Sequence, residues 1–187
     1  MKDNNLSSHY VCTLHSAEKL IKKHNQFWVS NCGCREGRKN CRSSRLDVCL
    51  FFTPDFGGTG TNFRVVDNDF VSGILKEAQL KHLVPRPFVD KVDSSKTLGI
   101  CFCCSDCCSF FQNPKEVCAR GSKIEETDHK ACIACGTCVD VCYFNARKIE
   151  DGELVENKER CYGCGLCADT CPMHCIQMLP RTEKNEG

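Results

Sequence analysis

The chain has 187 residues, 41% of them hydrophobic and 26% charged, with a net charge of +1 and 20 cysteines. That length suits one ordinary domain or two small ones with a true core, and so even a charge balance carries no nucleic-acid footprint. No window approaches the ~20 apolar residues of a membrane span, and the opening "MKDNNLSSHYVCTLHSAEKL" is polar where a secretory signal is apolar. The expectation is therefore a cytoplasmic protein, whose cysteines do metal or redox work rather than form disulfide staples. The charge is unevenly spread: residues 1–130 hold 19 Lys/Arg against 15 Asp/Glu, a net of +4, and residues 131–187 hold 6 against 9, a net of −3.

In chain order, "TLHSAEKLIKKH" (13–24) predicts a helix with Leu14, Ala17, Leu20 and Ile21 on one face. "QFWVSNC" predicts a strand that runs into a loop carrying Cys32, Cys34, Cys41 and Cys49. "DFGGTGTN" reads as a loop, since it lacks the full G-x-G-x-x-G and the Lys-Ser/Thr of a P-loop. "DNDFVSGILKEAQLKHLVP" predicts an amphipathic helix with Phe70, Ile74 and Ala78 inward and Pro85 as a stop beyond it. "TLGICFCCSDCCSFF" predicts a strand that delivers Cys101, Cys103, Cys104, Cys107 and Cys108 to its end. These elements make residues 1–127 a small α/β cysteine-rich domain, and a parallel sheet there would bring both cysteine sets to one edge.

Residues 128–187 form the second predicted domain and contain an internal repeat. "CIACGTCVDVC" places Cys132, Cys135, Cys138 and Cys142 at C-x2-C-x2-C-x3-C, and Cys161, Cys164, Cys167 and Cys171 repeat that spacing 29 residues later. Three cysteines at such intervals wrap three corners of an iron–sulfur cube, and the fourth reaches the other cube. Cys132, Cys135, Cys138 and Cys171 are thus expected on one [4Fe–4S] cluster, and Cys161, Cys164, Cys167 and Cys142 on the second. Gly136, Gly163 and Gly165 let the backbone come close to the sulfides. Paired zinc knuckles fit poorly, because zinc sites take four ligands from one neighbourhood. "RKIEDGELVEN" predicts a hairpin with a two-residue Asp-Gly turn, and "CIQMLP" a closing strand. Cys175 reads as a buried small hydrophobe.

Over roughly residues 128–180 this pattern resembles the bacterial-type ferredoxins with two [4Fe–4S] clusters. The resemblance implies a pseudo-twofold α+β fold and one-electron transfer between the cubes. Tyr143 departs from it, standing where that family has proline, whereas Pro172 follows the second run. The first domain loosely resembles an uncharacterised cysteine-rich module that precedes ferredoxin domains in some anaerobe iron–sulfur proteins, through its C-x-C-R run, the "ILKEA" helix and the C-x-C-C cluster. That likeness implies no activity.

Nine cysteines of the first domain are candidate ligands: Cys32, Cys34, Cys41, Cys49, Cys101, Cys103, Cys104, Cys107 and Cys108. Three readings stay open: a further iron–sulfur cluster on a subset of them, a structural zinc site, or redox-active thiols without metal. Arg35, Arg38, Lys39, Arg42 and Arg45 form either a solvated face or a counter-charge to a thiolate-bound cluster. None of the six histidines makes a spaced ligand pair, and no catalytic triad or nucleotide motif is present. The sequence therefore predicts an iron–sulfur electron-transfer protein that serves redox protein partners. Its alternatives are a ferredoxin-fed reductase of a disulfide or cofactor, and a zinc-built interaction module fused to a ferredoxin.

Overall fold

The computed structural model describes residues 8–39, 41–55, 60–113 and 116–182. The stretch 56–59 of the predicted Gly-rich loop lies outside them. Helix α1 (Leu14–Ile21) is capped by Thr13, whose hydroxyl accepts the Ser16 amide at 3.1 Å. Strand β1 (Phe27–Ser30) leads into a short helix α2 (Gly33–Arg38), then β2 (Cys49–Phe51) and β3 (Arg64–Val66). Helix α3 (Asn68–Leu80) is capped by the Asp67 carboxylate, which accepts the Phe70 amide at 2.8 Å. Strands β4 (Val84–Val89) and β5 (Thr97–Cys103) follow, with helix α4 (Ser109–Gln112) after the cysteine cluster.

The five strands form one sheet in the order β3-β1-β2-β5-β4, and every ladder in it is antiparallel. A parallel sheet is ruled out for the cysteine-bearing strands. The register pairs Trp28 with Phe51, Val29 with Leu50 and Ser30 with Cys49, the reversed order of an antiparallel ladder. The two cysteine sets meet for another reason, which is the two-residue period of a strand. Phe27, Val29, Leu50, Ile100 and Phe102 turn to one face, against Ala17 and Ile21 of α1 and Val71, Ile74 and Ala78 of α3. The alternate residues Cys49, Phe51, Phe88 and Cys101 turn to the other and cluster there. One face of the sheet is a hydrocarbon core; the other carries sulfur.

Two expectations for α3 change. Phe70 is only half-buried, under the guanidinium groups of Arg45 (4.6 Å) and Arg64 (5.1 Å), and Val71 takes the inward place. Pro85 does not follow a helix end but sits in β4, paired with Phe102, and Pro87 pairs with Ile100. Proline is confined to edge strands because it cannot donate to a ladder, and β4 is the edge. The carbonyls of Pro85 and Pro87 accept the amides of Cys12 and Tyr10, both at 3.1 Å, so residues 8–12 run alongside β4.

In the last third, β6 (Lys123–Thr127) pairs along its length with β9 (Ile176–Pro180), and β7 (Arg147–Glu150) with β8 (Glu153–Glu156). The β7–β8 turn places Asp151 at φ 51° and Gly152 at φ 84°, the left-handed pair that a two-residue hairpin requires. Helices α5 (Thr137–Asp140) and α6 (Leu166–Thr170) each follow a glycine in left-handed conformation, Gly136 (φ 82°) and Gly165 (φ 84°). The 29-residue repeat is visible in the backbone. Ala134 and Gly163, Gly136 and Gly165, and Asn145 and His174 are equivalent pairs, and all six residues have positive φ. No helix of the described residues is long and apolar enough to cross a membrane.

Candidate metal centres

The two cysteine runs line two separate small cavities. Cys132, Cys135, Cys138 and Cys171 line the first, together with Cys175. Cys142, Cys161, Cys164 and Cys167 line the second. Cys175 is buried, with its Sγ 3.5 Å from that of Cys171. Backbone amides already point at sulfur: Ala134 N donates to Cys132 Sγ at 3.4 Å and Ala146 N to Cys142 Sγ at 3.3 Å. Gly163 is needed for close approach, since a Cβ there would stand 2.0 Å from the Lys123 carbonyl oxygen.

Arg147 lies beside both cavities. Its side chain is 1% exposed, one nitrogen meets Glu125 at 2.6 Å and another donates to the Thr127 hydroxyl at 2.7 Å. Lys158 reaches the same Glu125 at 2.9 Å. Burial pushes the Cys138 and Cys167 thiols up, and the Arg147 charge draws both back down. Arg147 Nε is buried and finds no hydrogen-bond partner among the described residues. A buried orphan donor is costly. Soft sulfur ligands, amides aimed at sulfur and an unfilled donor between them are what an iron–sulfur group satisfies.

All nine candidate cysteines of the first domain come together, in two groups. Six form a continuous row of side-chain contacts, Cys101–Cys49–Cys32–Cys34–Cys108–Cys103. The sulfurs of Cys41, Cys104 and Cys107 lie within 4.8 Å of one another, with Cys104 at 3.7 Å from Cys41 and 3.2 Å from Cys107. Burial raises Cys104, but hydrogen bonds from Cys107 and the charge of Arg35 draw it down to about 7. Cys101 is lowered to about 5, first by Cys49 and then, against burial, by His9.

The basic run divides between its two expected roles. Arg38, Lys39, Arg42 and Arg45 are exposed, whereas Arg35 is 1% exposed. Arg35 donates to the carbonyls of Arg45 and Phe102 and has no carboxylate partner among the described residues. A buried cation without a counter-charge costs several kcal/mol. The charges acting on Arg35 are sulfurs, those of Cys104, Cys32 and Cys41, and against burial they hold the guanidinium firmly protonated.

A second buried guanidinium was not legible in the sequence. Arg86, between two prolines on β4, reaches Cys108 at 3.2 Å, Cys118 at 3.4 Å and Cys103 at 3.7 Å, with Glu116 at 3.3 Å. The strand alternation of "VPRPFV" is the one signal that turns it toward the sulfur. Cys118 and Cys12 were also missed, and nothing in their spacing marks them. Cys12 is buried against the apolar core, its thiol raised to about 12 by burial and by the charge of Cys164.

An aromatic cluster joins the two sulfur regions. Phe110 and Phe111, just after Cys108, pack on Phe144 at 6.2 and 5.4 Å between ring centroids. Phe144 stacks on Tyr162 at 4.5 Å, and Tyr143 meets Phe111 at 5.8 Å. Arg86 lies over Phe110 at 4.3 Å. Tyr143, which stands where the resembled family has proline, is thus part of this aromatic cluster. Its hydroxyl is affected by Cys104 on one side and Cys164 on the other.

Residues 131–175 match the family model of the 4Fe-4S dicluster domain. This C-terminal region is ferredoxin-like, and the match supports binding of [4Fe–4S] clusters there. No curated protein matches the chain.

Proposed function

We propose that this protein is an electron carrier with two [4Fe–4S] clusters in a pseudo-twofold ferredoxin fold and a further metal centre on the sulfur face of the first domain. The observation that carries the reading is the pair of four-cysteine cavities, each lined by three cysteines of one run and the fourth of the other. Cys132, Cys135, Cys138 and Cys171 would hold one cluster, and Cys142, Cys161, Cys164 and Cys167 the other. When bound, each takes up and releases a single electron with little rearrangement.

The rest is the work of the polypeptide. Ala134 and Ala146 amides donate to ligand sulfur and favour its charged form. Arg147 places a fixed positive charge between the sites, and Glu125 holds it there. Ile133, Ile149 and Met173 line the first cavity and are 61%, 38% and 44% exposed, an apolar rim at which a redox protein partner would dock. Phe144 and Tyr162, stacked at 4.5 Å, form an apolar part of the lining of the second cavity.

For the first domain the reading is a cysteine-ligated metal centre with Arg35 and Arg86 as counter-charges. The buried, carboxylate-free Arg35 favours it over free thiols, because neutral thiols would leave that charge uncompensated. Iron, acid-labile sulfide and zinc counted per chain after anaerobic purification test the whole reading. More than about eight irons is expected. About eight with zinc would make the first domain a zinc module, and about eight without zinc would leave thiol chemistry there.

A further inference from the structure

The sulfur face of the sheet also carries a cavity of about 390 Å³ that the reading above does not use. Its walls include Phe51, Phe88, Leu98 and Val89, and two of the row's thiols, Cys49 and Cys101, open into it. Phe51 and Phe88 meet edge-to-face, with centroids 5.6 Å apart and planes at 65°. Gly99 permits this, because a Cβ there would stand 2.5 Å from the Phe88 ring. Its uncharged polar side chains are few, Ser8, Ser30 and Asn31, with His9 beside them in the lining. Among the described residues, the charged side chains of the lining besides His9 are Asp90 and Lys91, of opposite sign. Asp90 is already engaged, accepting the amides of Val92 at 2.7 Å and Asp93 at 3.0 Å.

Small-molecule sites have this character: a few hundred cubic ångströms, mainly apolar walls and a small polar set that orients the ligand. Aromatic walls favour a ring that offers its face or edge. A lining with no surplus charge disfavours an ion, whose desolvation nothing would offset. We infer that this cavity binds an uncharged, ring-bearing small molecule, packed against the touching rings of Phe51 and Phe88 with its polar end toward Ser30 and Asn31 and its edge against Cys49 and Cys101. It would make the first domain a place where a ligand meets the thiol row, not only a relay. The inference rests on the reading above solely for what the thiols do; the cavity itself is independent of the C-terminal cavities.

Equilibrium dialysis of the anaerobically purified full chain tests it, with 2-naphthol as the uncharged probe and naphthalene-2-sulfonate as its anionic counterpart. Neither adds to thiols. Saturable binding of about one 2-naphthol per chain is expected, with the sulfonate at least tenfold weaker. Leu98→Phe, which fills the cavity, is expected to weaken 2-naphthol at least tenfold and leave iron content unchanged. Should L98F fold poorly, Val89→Phe fills the cavity from the neighbouring strand β4 and serves in its place. Absence of saturable binding, equal binding of the two probes, or binding unchanged in both filled variants would overturn the inference. Metal analysis on the same samples keeps the two claims apart, since a normal iron count without probe binding rejects the cavity alone.

Discussion

The two sulfur regions differ in how they treat a buried arginine. Beside the C-terminal cavities Arg147 has carboxylate partners, Glu125 at 2.6 Å and Glu156 at 3.6 Å. On the sulfur face of the first domain Arg35 has no carboxylate and Arg86 has only the half-exposed Glu116. Sulfur must supply the missing negative charge there. The difference teaches that, on the function proposed above, a centre bound by the first domain sits in a more positive surrounding than the C-terminal clusters. Positive surroundings raise a reduction potential, so electrons entering at the C-terminal clusters would run downhill toward the first domain.

The most direct way to break this comparison is to remove one ligand on each side. Cys138→Ser is expected to lose about four irons per chain and spare the first domain, and Cys104→Ser to do the reverse; metal analysis reads both. Next in size is Arg147→Met, which leaves Glu125 with Lys158 as its remaining cation and is expected to cost about 1–3 kcal/mol in urea unfolding. Arg35→Met gives the sharpest contrast. In metal-free protein it is expected to cost no more than about 1 kcal/mol, because only two carbonyl hydrogen bonds are lost against an unmatched charge. In loaded protein it should release metal from the first domain. Equal losses in the two forms would mean that Arg35 does not face anionic sulfur.

A smaller effect is expected for Arg86→Met: the potential of the first-domain centre falls by roughly 60 mV, a tenfold change in a one-electron equilibrium, while the C-terminal potentials stay put. Potentiometric titration with paramagnetic resonance detection separates them. Smallest is Phe144→Leu, expected to cost about 0.5–1.5 kcal/mol beyond lost burial through its stack on Tyr162, read by thermal unfolding. If it also slows reduction of the first-domain centre, the aromatic cluster does more than pack.

How much of this was legible in the sequence depends on whether the signal was local. The C-terminal runs, the Asp151–Gly152 hairpin and the strand at residues 176–180 follow from short-range rules, and the structure has each element. The alternation in "TLGICFC" already separated Phe102 from Cys101 and Cys103. Strand β6 was not foreseen, because "KIEET" alternates weakly and owes its state to pairing with β9. The direction of the first sheet was misread because pattern alone does not fix pairing. The grouping of nine cysteines into six and three depends on how β1, β2 and β5 are ordered, which is a tertiary fact. Arg86, Cys12 and Cys118 look ordinary in sequence and matter only through their neighbours.

The segment at residues 8–13 bears on how the molecule is assembled in time. Tyr10 and Cys12 bond to β4 carbonyls, Val11 N donates to the Ala119 carbonyl at 3.0 Å, and the Thr13 side chain comes within 3.1 Å of where a Cβ on Gly165 would stand. One short stretch thus joins partners about 75, 110 and 150 positions away along the chain, and such distant contacts are slow to form. The strand along β4 is therefore a closing step of folding. The Thr13–Gly165 contact waits for the last cysteine run, so in a chain emerging in order the packing of this segment is finished only after residues 161–171 have been made.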